Sequence, residues 1–240
     1  MVTYHPDSRF LTDFASGALP MSEAMCVAAH LHYCGKCRAR VQQLTDVGSH
    51  LFAGIDSESI ESAGKVAGFD ELMQRIRSEN GIDAEPQAKR DEPVRPVVDN
   101  LRLGAAALPS VLRKLVSDGL SQLKWVQLGK SLRIAPVDIG DGARRETAIY
   151  DIKAGGRMPE HRHRGEEITV LLKGSFSDME GKYSEGDFVV RNAGECHQPT
   201  ATEDTDCICL VSLERPVRAE SFWYRLLEPL VQYRLSRTVN

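Results

Sequence analysis

No stretch of this 240-residue chain comes near the roughly 18 consecutive apolar residues of a membrane-spanning helix. The first ten residues, MVTYHPDSRF, lack the basic-then-apolar order of a secretory leader. These absences predict a cytoplasmic protein. Thiols stay reduced in that compartment, so the six cysteines read as metal ligands or buried side chains rather than as disulfides. There is no internal repeat. There is also no basic patch: residues 1–85 hold 7 Lys+Arg against 12 Asp+Glu, a net of −5, and residues 86–240 hold 23 against 22, a net of +1. That balance argues against direct DNA binding and suits the acidic first part to a basic partner.

What the chain does have is two sets of metal ligands of different chemistry. His30-x3-Cys34-x2-Cys37 mixes imidazole with thiolate, a soft set suited to zinc. His161-x-His163-x3-Glu167, with His197 thirty residues later, has no thiolate and suits zinc, iron, manganese or nickel. Two such sets in two halves predict a two-part device rather than one active site.

The pattern around the first set is helical. Asp7 can cap a helix carrying Phe10, Leu11 and Phe14, and Ser22 can cap a second through Met25, Ala28 and Ala29. A third is expected from about Gly35 to Leu51, with Val41, Leu44 and Leu51 facing inward. A fourth, about Asp70 to Ser78, places Phe69, Leu72, Met73 and Ile76 in one apolar stripe. That stripe fits either a partner-binding face or the domain's own core. Short helices make a thin core, which a metal would reinforce.

Residues 86–100, with Pro86, Pro93 and Pro96, read as an extended linker. After a short helix near Ser110–Val116, strands are expected at Ser131–Val137, Glu146–Ile152, Ile168–Leu172, Phe188–Arg191 and Cys207–Leu213. Glycine-containing turns separate them, the pattern of a sandwich or barrel. The resulting division is 1–85, a small four-helix zinc-binding domain; 86–100, a Pro-rich linker; 101–215, the β domain; and 216–240, a helical tail.

In the first ligand set, His30 and Cys34 lie one helical turn apart and Cys37 follows at the spacing of a thiolate knuckle. Three ligands are one short of a closed tetrahedral zinc site. His5, Cys26 or His32 can supply the fourth. His5 is favoured because it would staple the first helix onto the others. In the second set, His161 and His163 alternate, so a strand would point both to one face. Three imidazoles and a carboxylate would leave one or two coordination positions open. Cys207 and Cys209, alternating in a strand, read as small buried hydrophobes. Cys26 and Cys196 carry no assigned role.

His30, Cys34 and Cys37 match the signature of the zinc-binding anti-sigma factors, some of which add an N-terminal histidine, here His5. Gly155-x5-His161-x-His163-x3-Glu167-x6-Gly174 is the first cupin motif, and Gly186-x5-Asn192-x-Gly194-x2-His197 resembles the second. Asn192 stands where cupins usually have proline, and Ala201 where they often have asparagine. The motif spacing favours Glu167 over Glu166 as ligand. With both motif sets present, the chain resembles the ChrR family over about residues 5–215.

The resemblance implies a two-domain α + β protein with a four-helix zinc-binding domain and a C-terminal cupin β-barrel. It implies an anti-sigma factor, not an enzyme. Its partner would be a group IV (extracytoplasmic function type) sigma factor, released on singlet oxygen or organic peroxide stress. Cupins often pair, so a homodimer through the cupin domain is open. The competing reading is a metal-dependent, dioxygenase-like cupin enzyme with a zinc-binding regulatory appendage. It would need a substrate-sized pocket and an acid or base, for which Glu166 or Tyr183 could be offered.

Overall fold

The structure is a computed structural model. It describes residues 2–55, 71, 74–75, 108–113, 115–116, 119–140 and 145–220. The stripe Phe69, Leu72, Met73 and Ile76, the expected linker at 86–100 and most of the expected tail lie outside the described residues. Two compact units emerge: residues 1–49 together with 101–240, and residues 50–100.

Three helices open the chain: α1 (Ser8–Ala15), α2 (Met21–Tyr33) and α3 (Gly35–Ala53). Asp7 caps α1 as expected, its Oδ1 accepting from Phe10 N at 3.0 Å. Ser22 does not cap α2. That helix begins one residue earlier, after Pro20, and Ser22 is buried inside it with its hydroxyl unpartnered. Met25, Cys26, Val27, Ala29 and His30 are all buried, so α2 is apolar nearly all round and lies inside the core rather than on its surface. It ends at Cys34, whose φ of −108° and ψ of 103° leave the helical region. In α3, Val41 and Leu44 are half-buried against the core, but Leu51 is 70% exposed. The inward stripe therefore stops short of the C-terminal part of that helix.

A short helix α4 (Ser110–Arg113) and a 3-10 turn (Leu120–Gln122) precede the β structure. The principal sheet has six antiparallel strands in the order β1 (Val126–Leu128), β2 (Leu132–Pro136), β3 (Glu146–Ile152), β11 (Cys207–Leu213), β5 (Glu167–Lys173), β8 (Phe188–Arg191). A second sheet orders β10 (Thr200–Ala201), β6 (Ser175–Ser177), β7 (Lys182–Ser184). A third orders β12 (Arg218–Ala219), β4 (His161–Arg162), β9 (Cys196–His197). The five long strands follow the expected segments within a residue or two. The shorter ones carry too few residues for any alternation to show.

Both faces of the large sheet are buried. Ile149, Ile168, Val170, Leu172, Phe188 and Leu210 pack outward with α1, α2 and α4. Their neighbours Ala148, Ile152, Leu171, Val189, Cys209 and Val211 pack inward with Phe176 and Tyr183. Two-sided burial is why β5 is buried from Glu167 to Leu172 instead of alternating with exposed residues. Helix α2 packs against β5, β8 and β11. The helices therefore cover the sheet with a shared core.

Candidate metal centres

The helix-to-helix corner at Cys34 gathers the first centre. His5, His30, Cys34 and Cys37 each bring one ligand atom within 4.8 Å of the others. His5 Nδ1 lies 3.4 Å from Cys34 Sγ and 3.5 Å from Cys37 Sγ. Ligands of one tetrahedral zinc, at about 2.0 and 2.3 Å from the ion, would sit roughly 3.5 Å apart. His30 is fully buried, with Nε2 unpartnered. Its Nδ1–H donates to Gly186 O at 2.7 Å, which fixes the tautomer and leaves Nε2 bare for an ion. Burial, with the neighbouring His5, lowers the His30 pKa to about 4. Burial and the adjacent Cys34 push the Cys37 thiol up to about 12, a penalty that a bound cation would reverse. Cys26 and His32 are not in the cluster. Cys26 is fully buried, and His32 packs edge-on against Tyr33 at 4.9 Å.

The second centre sits where β4 pairs with β9. His161 and His197 are register partners, so their side chains leave the same face. Their Nε2 atoms stand 3.0 Å apart. His161 Nδ1–H donates to Pro159 O at 2.9 Å and His197 Nδ1–H to Asp178 Oδ2 at 3.0 Å. Both Nε2 atoms then carry lone pairs that face each other, which needs a cation between them. His163, two residues after His161, completes the cluster, and both its ring nitrogens are buried without a hydrogen-bond partner. Glu167 Oε2 is 3.5 Å from His163 Nδ1, and its Oε1 accepts from Thr169 Oγ1 at 2.9 Å. Glu166 turns the other way, toward Arg145 and Arg9. Burial lowers His163 and His197 to about 4, partly offset at His163 by Glu167 and deepened at His197 by His161, so the imidazoles stay neutral and able to ligate. The donor sets of both centres thus fit divalent metals.

A cavity of about 20 Å³ opens beside this centre, lined by His161, Glu167 and His197 with Tyr150, Met158 and Phe176. It holds a water-sized ligand, not a metabolite. Cys209 also lines it. Cys207 and Cys209 are buried with their sulfurs 3.6 Å apart. Cys207 and burial hold the Cys209 thiol well above its usual range, so it is a neutral packing group.

The sequence reading missed the groups that hold the ligands. Asp178 has a fully buried side chain and takes Arg191 as well as His197. Its bonds to His197 and Arg191 keep it below the usual carboxylate range against the opposing effect of burial. Gly186 looked like a turn glycine. Its φ of +88° is one, but a Cβ there would also meet Tyr33 Cβ at 2.6 Å, and its carbonyl orients His30. No spacing rule links residue 186 to residue 30.

The family described as "ChrR Cupin-like domain" matches residues 116–216. The chain is 30% identical over 228 residues to the anti-sigma-E factor ChrR of Cereibacter sphaeroides, covering 95% of this chain and 97% of that protein. The chain belongs to the ChrR family. The crystal structure of the Rhodobacter sphaeroides anti-sigma ChrR in complex with SigE is similar with a TM-score of 0.66 at 27% identity, covering 89% of this chain and 99% of that one. An RmlC-like cupin protein from Ralstonia eutropha is similar with a TM-score of 0.38 at 17% identity, over 50% of this chain and 87% of that one. The helical start followed by a cupin-like sheet, expected from the two ligand motifs, is the ChrR arrangement. No helix among the described residues is long and apolar enough to cross a membrane.

Proposed function

We propose that this chain is an anti-sigma factor that sequesters a group IV sigma factor and releases it on oxidative stress. The observation that carries the reading is the near full-length likeness to a chain crystallised with its sigma factor. In this reading His5, His30, Cys34 and Cys37 hold a structural zinc that sets the corner between α2 and α3. The stripe Phe69, Leu72, Met73 and Ile76 contacts the sigma factor as a helix in a groove. His161, His163, Glu167 and His197 hold a divalent metal in the cupin sheet. That ion would supply an electrophilic position for a small oxygen donor such as a peroxide. A cavity of about 20 Å³ opens beside it. The net charge of −5 over residues 1–85 suits a basic, DNA-binding partner, and the protein itself does not contact DNA.

The test is a pull-down from the source lysate with zinc-loaded full-length protein, identified by mass spectrometry. It is followed by transcription with the recovered sigma factor and core polymerase. Capture of one group IV sigma factor, and its inhibition by stoichiometric protein, is the expected result. The double substitution Leu72→Asp with Met73→Asp is expected to abolish capture. Failure of folded, metal-loaded bait to recover any sigma factor would instead favour a cupin enzyme.

A further inference from the structure

Among the clustered ligands, His5 alone is exposed. It sits on residues 2–5, which precede α1 and belong to no helix or strand. The cupin sheet holds this segment in place. Thr3 N and Tyr4 N donate to Oδ1 of the buried Asp187 at 2.6 and 3.0 Å, and Phe188 N donates to Tyr4 O at 3.0 Å. The other Asp187 oxygen accepts from Ser184 N and Oγ at 2.8 and 3.2 Å. The next residue back, Gly186, accepts the Nδ1–H of His30. One turn of the sheet therefore orients two ligands of the N-terminal centre.

The same turn leads to the other centre. The Tyr4 ring lies 4.7 Å from the Tyr183 ring. The Tyr183 hydroxyl accepts from Arg191 Nη2 at 2.6 Å. Arg191 Nη2 also reaches Asp178 Oδ2 at 2.9 Å, and that oxygen accepts the Nδ1–H of His197. Asp178 and Arg191 have buried side chains, and the other Arg191 nitrogen, Nη1, is held by the exposed Glu180 at 2.6 Å.

We propose that residues 3–5 are a strap through which occupancy of the cupin centre sets the metal affinity of the N-terminal centre. The route is His197, Asp178, Arg191, Tyr183, Tyr4 and His5. An ion on His197 Nε2 makes its Nδ1–H a stronger donor. Asp178 Oδ2 is shared, so a tighter bond to His197 changes its bond to Arg191, and Arg191 positions Tyr183 under Tyr4. The strap ends on the exposed ligand, the one best able to leave. This inference rests on the two-metal part of the proposed function and is independent of the sigma partner. Its failure would leave the partner assignment standing.

The experiment uses the zinc-loaded full-length protein, titrated with a chelator. Release from the N-terminal centre is read as alkylation of Cys34 and Cys37 by mass spectrometry. It is run with the cupin centre filled and with that centre emptied by His163→Ala. The expected result is at least about a five-fold change in N-terminal zinc affinity between the two states. The change is lost in Tyr4→Ala, and it is lost again in Tyr183→Phe, which removes only the hydroxyl bonded to Arg191. Coupling is reciprocal, so disabling the N-terminal centre with Cys37→Ser must shift cupin zinc affinity by the same factor. Equal N-terminal affinity in both cupin states overturns the proposal. A difference that persists in both tyrosine variants overturns the route.

Discussion

The two centres are built on opposite plans. The N-terminal one takes three ligands from a single helix corner and a fourth from an exposed strap, and two of its donors are sulfur. The cupin one takes three buried imidazoles and faces a cavity. A thiolate-rich set of four closes around an ion, and its ion belongs to the fold. Two of the three imidazoles, His161 and His197, stand on paired strands, and a cavity opens beside them. The difference suits the proposed structural role of the first and the proposed sensing role of the second.

The largest expected effect tests that assignment directly. Cys34→Ser removes a thiolate from the only fixed corner of the N-terminal centre. It should release that ion and cost on the order of 5 kcal/mol or more, because binding of a structural zinc is folding energy. His163→Ala should release the cupin ion at a cost nearer 2 kcal/mol, since paired strands already fix the remaining ligands. Metal content by mass spectrometry and chemical unfolding of each variant give the comparison. Equal stability losses would erase the distinction between the centres.

The second effect asks how far the helices depend on the sheet. Arg145 has a 7% exposed side chain. It bonds Glu23 of α2 at 3.2 Å, Glu166 Oε1 at 3.3 Å, and both the hydroxyl and carbonyl of Ser212. Burial raises the pKa of Glu23 despite the Arg145 charge beside it. Arg145→Ala strands that carboxylate and should cost about 3 kcal/mol in unfolding free energy. Arg145→Ala with Glu23→Gln should recover about half. A loss below about 1 kcal/mol would mean that α2 is held by its apolar face alone.

Local signals carried most of what the sequence revealed. The five long strands showed themselves because each alternates or runs apolar over four or more residues. Both ligand sets showed themselves because metals impose short, fixed spacings. The hidden parts are all long-range. Helix α2 packs on β5, β8 and β11, which an apolar helix does not announce on its own. Asp178 and Asp187 drew no reading and Gly186 read only as a turn glycine, since nothing local ties them to His197, His30 or Tyr4. Leu51 followed the periodicity of α3 but is exposed, because periodicity marks a face and not what covers it.

A third effect tests both centres through protonation. In metal-free protein, His30, His163 and His197 have pKa values near 4, below the ordinary 6.5. A lowered histidine pKa means that the unfolded chain binds more protons between those values. Stability is therefore full above pH 6.5 and falls as pH drops toward 4, by up to about 1.4 kcal/mol per pH unit for each histidine. Urea unfolding of chelator-treated protein across pH 7 to 4 checks the slope. His163→Gln should flatten it, and zinc should move the loss to lower pH. A flat profile in the metal-free protein would show that the imidazoles are solvated and the cupin centre is not preformed.

The smallest effect probes the strap from its other end. Asp7 follows His5 by two residues and caps α1 through Phe10 N. The cap fixes where the chain enters the helix, and so the direction in which residues 3–5 leave it. Asp7→Ala should cost about 1 kcal/mol of stability. Asp7→Asn, which keeps an acceptor, should cost a few tenths. Because Asp7 acts on the centres only through residues 3–5, the loss should weaken N-terminal metal binding slightly and shift the cupin centre less. An equal loss of affinity at both centres would mean that α1, rather than Tyr4, transmits between them. Helix α1 packs on α2 and sets the Phe10 ring 5.4 Å from the Phe188 ring, while Tyr4 bonds Asp187 and the Phe188 amide.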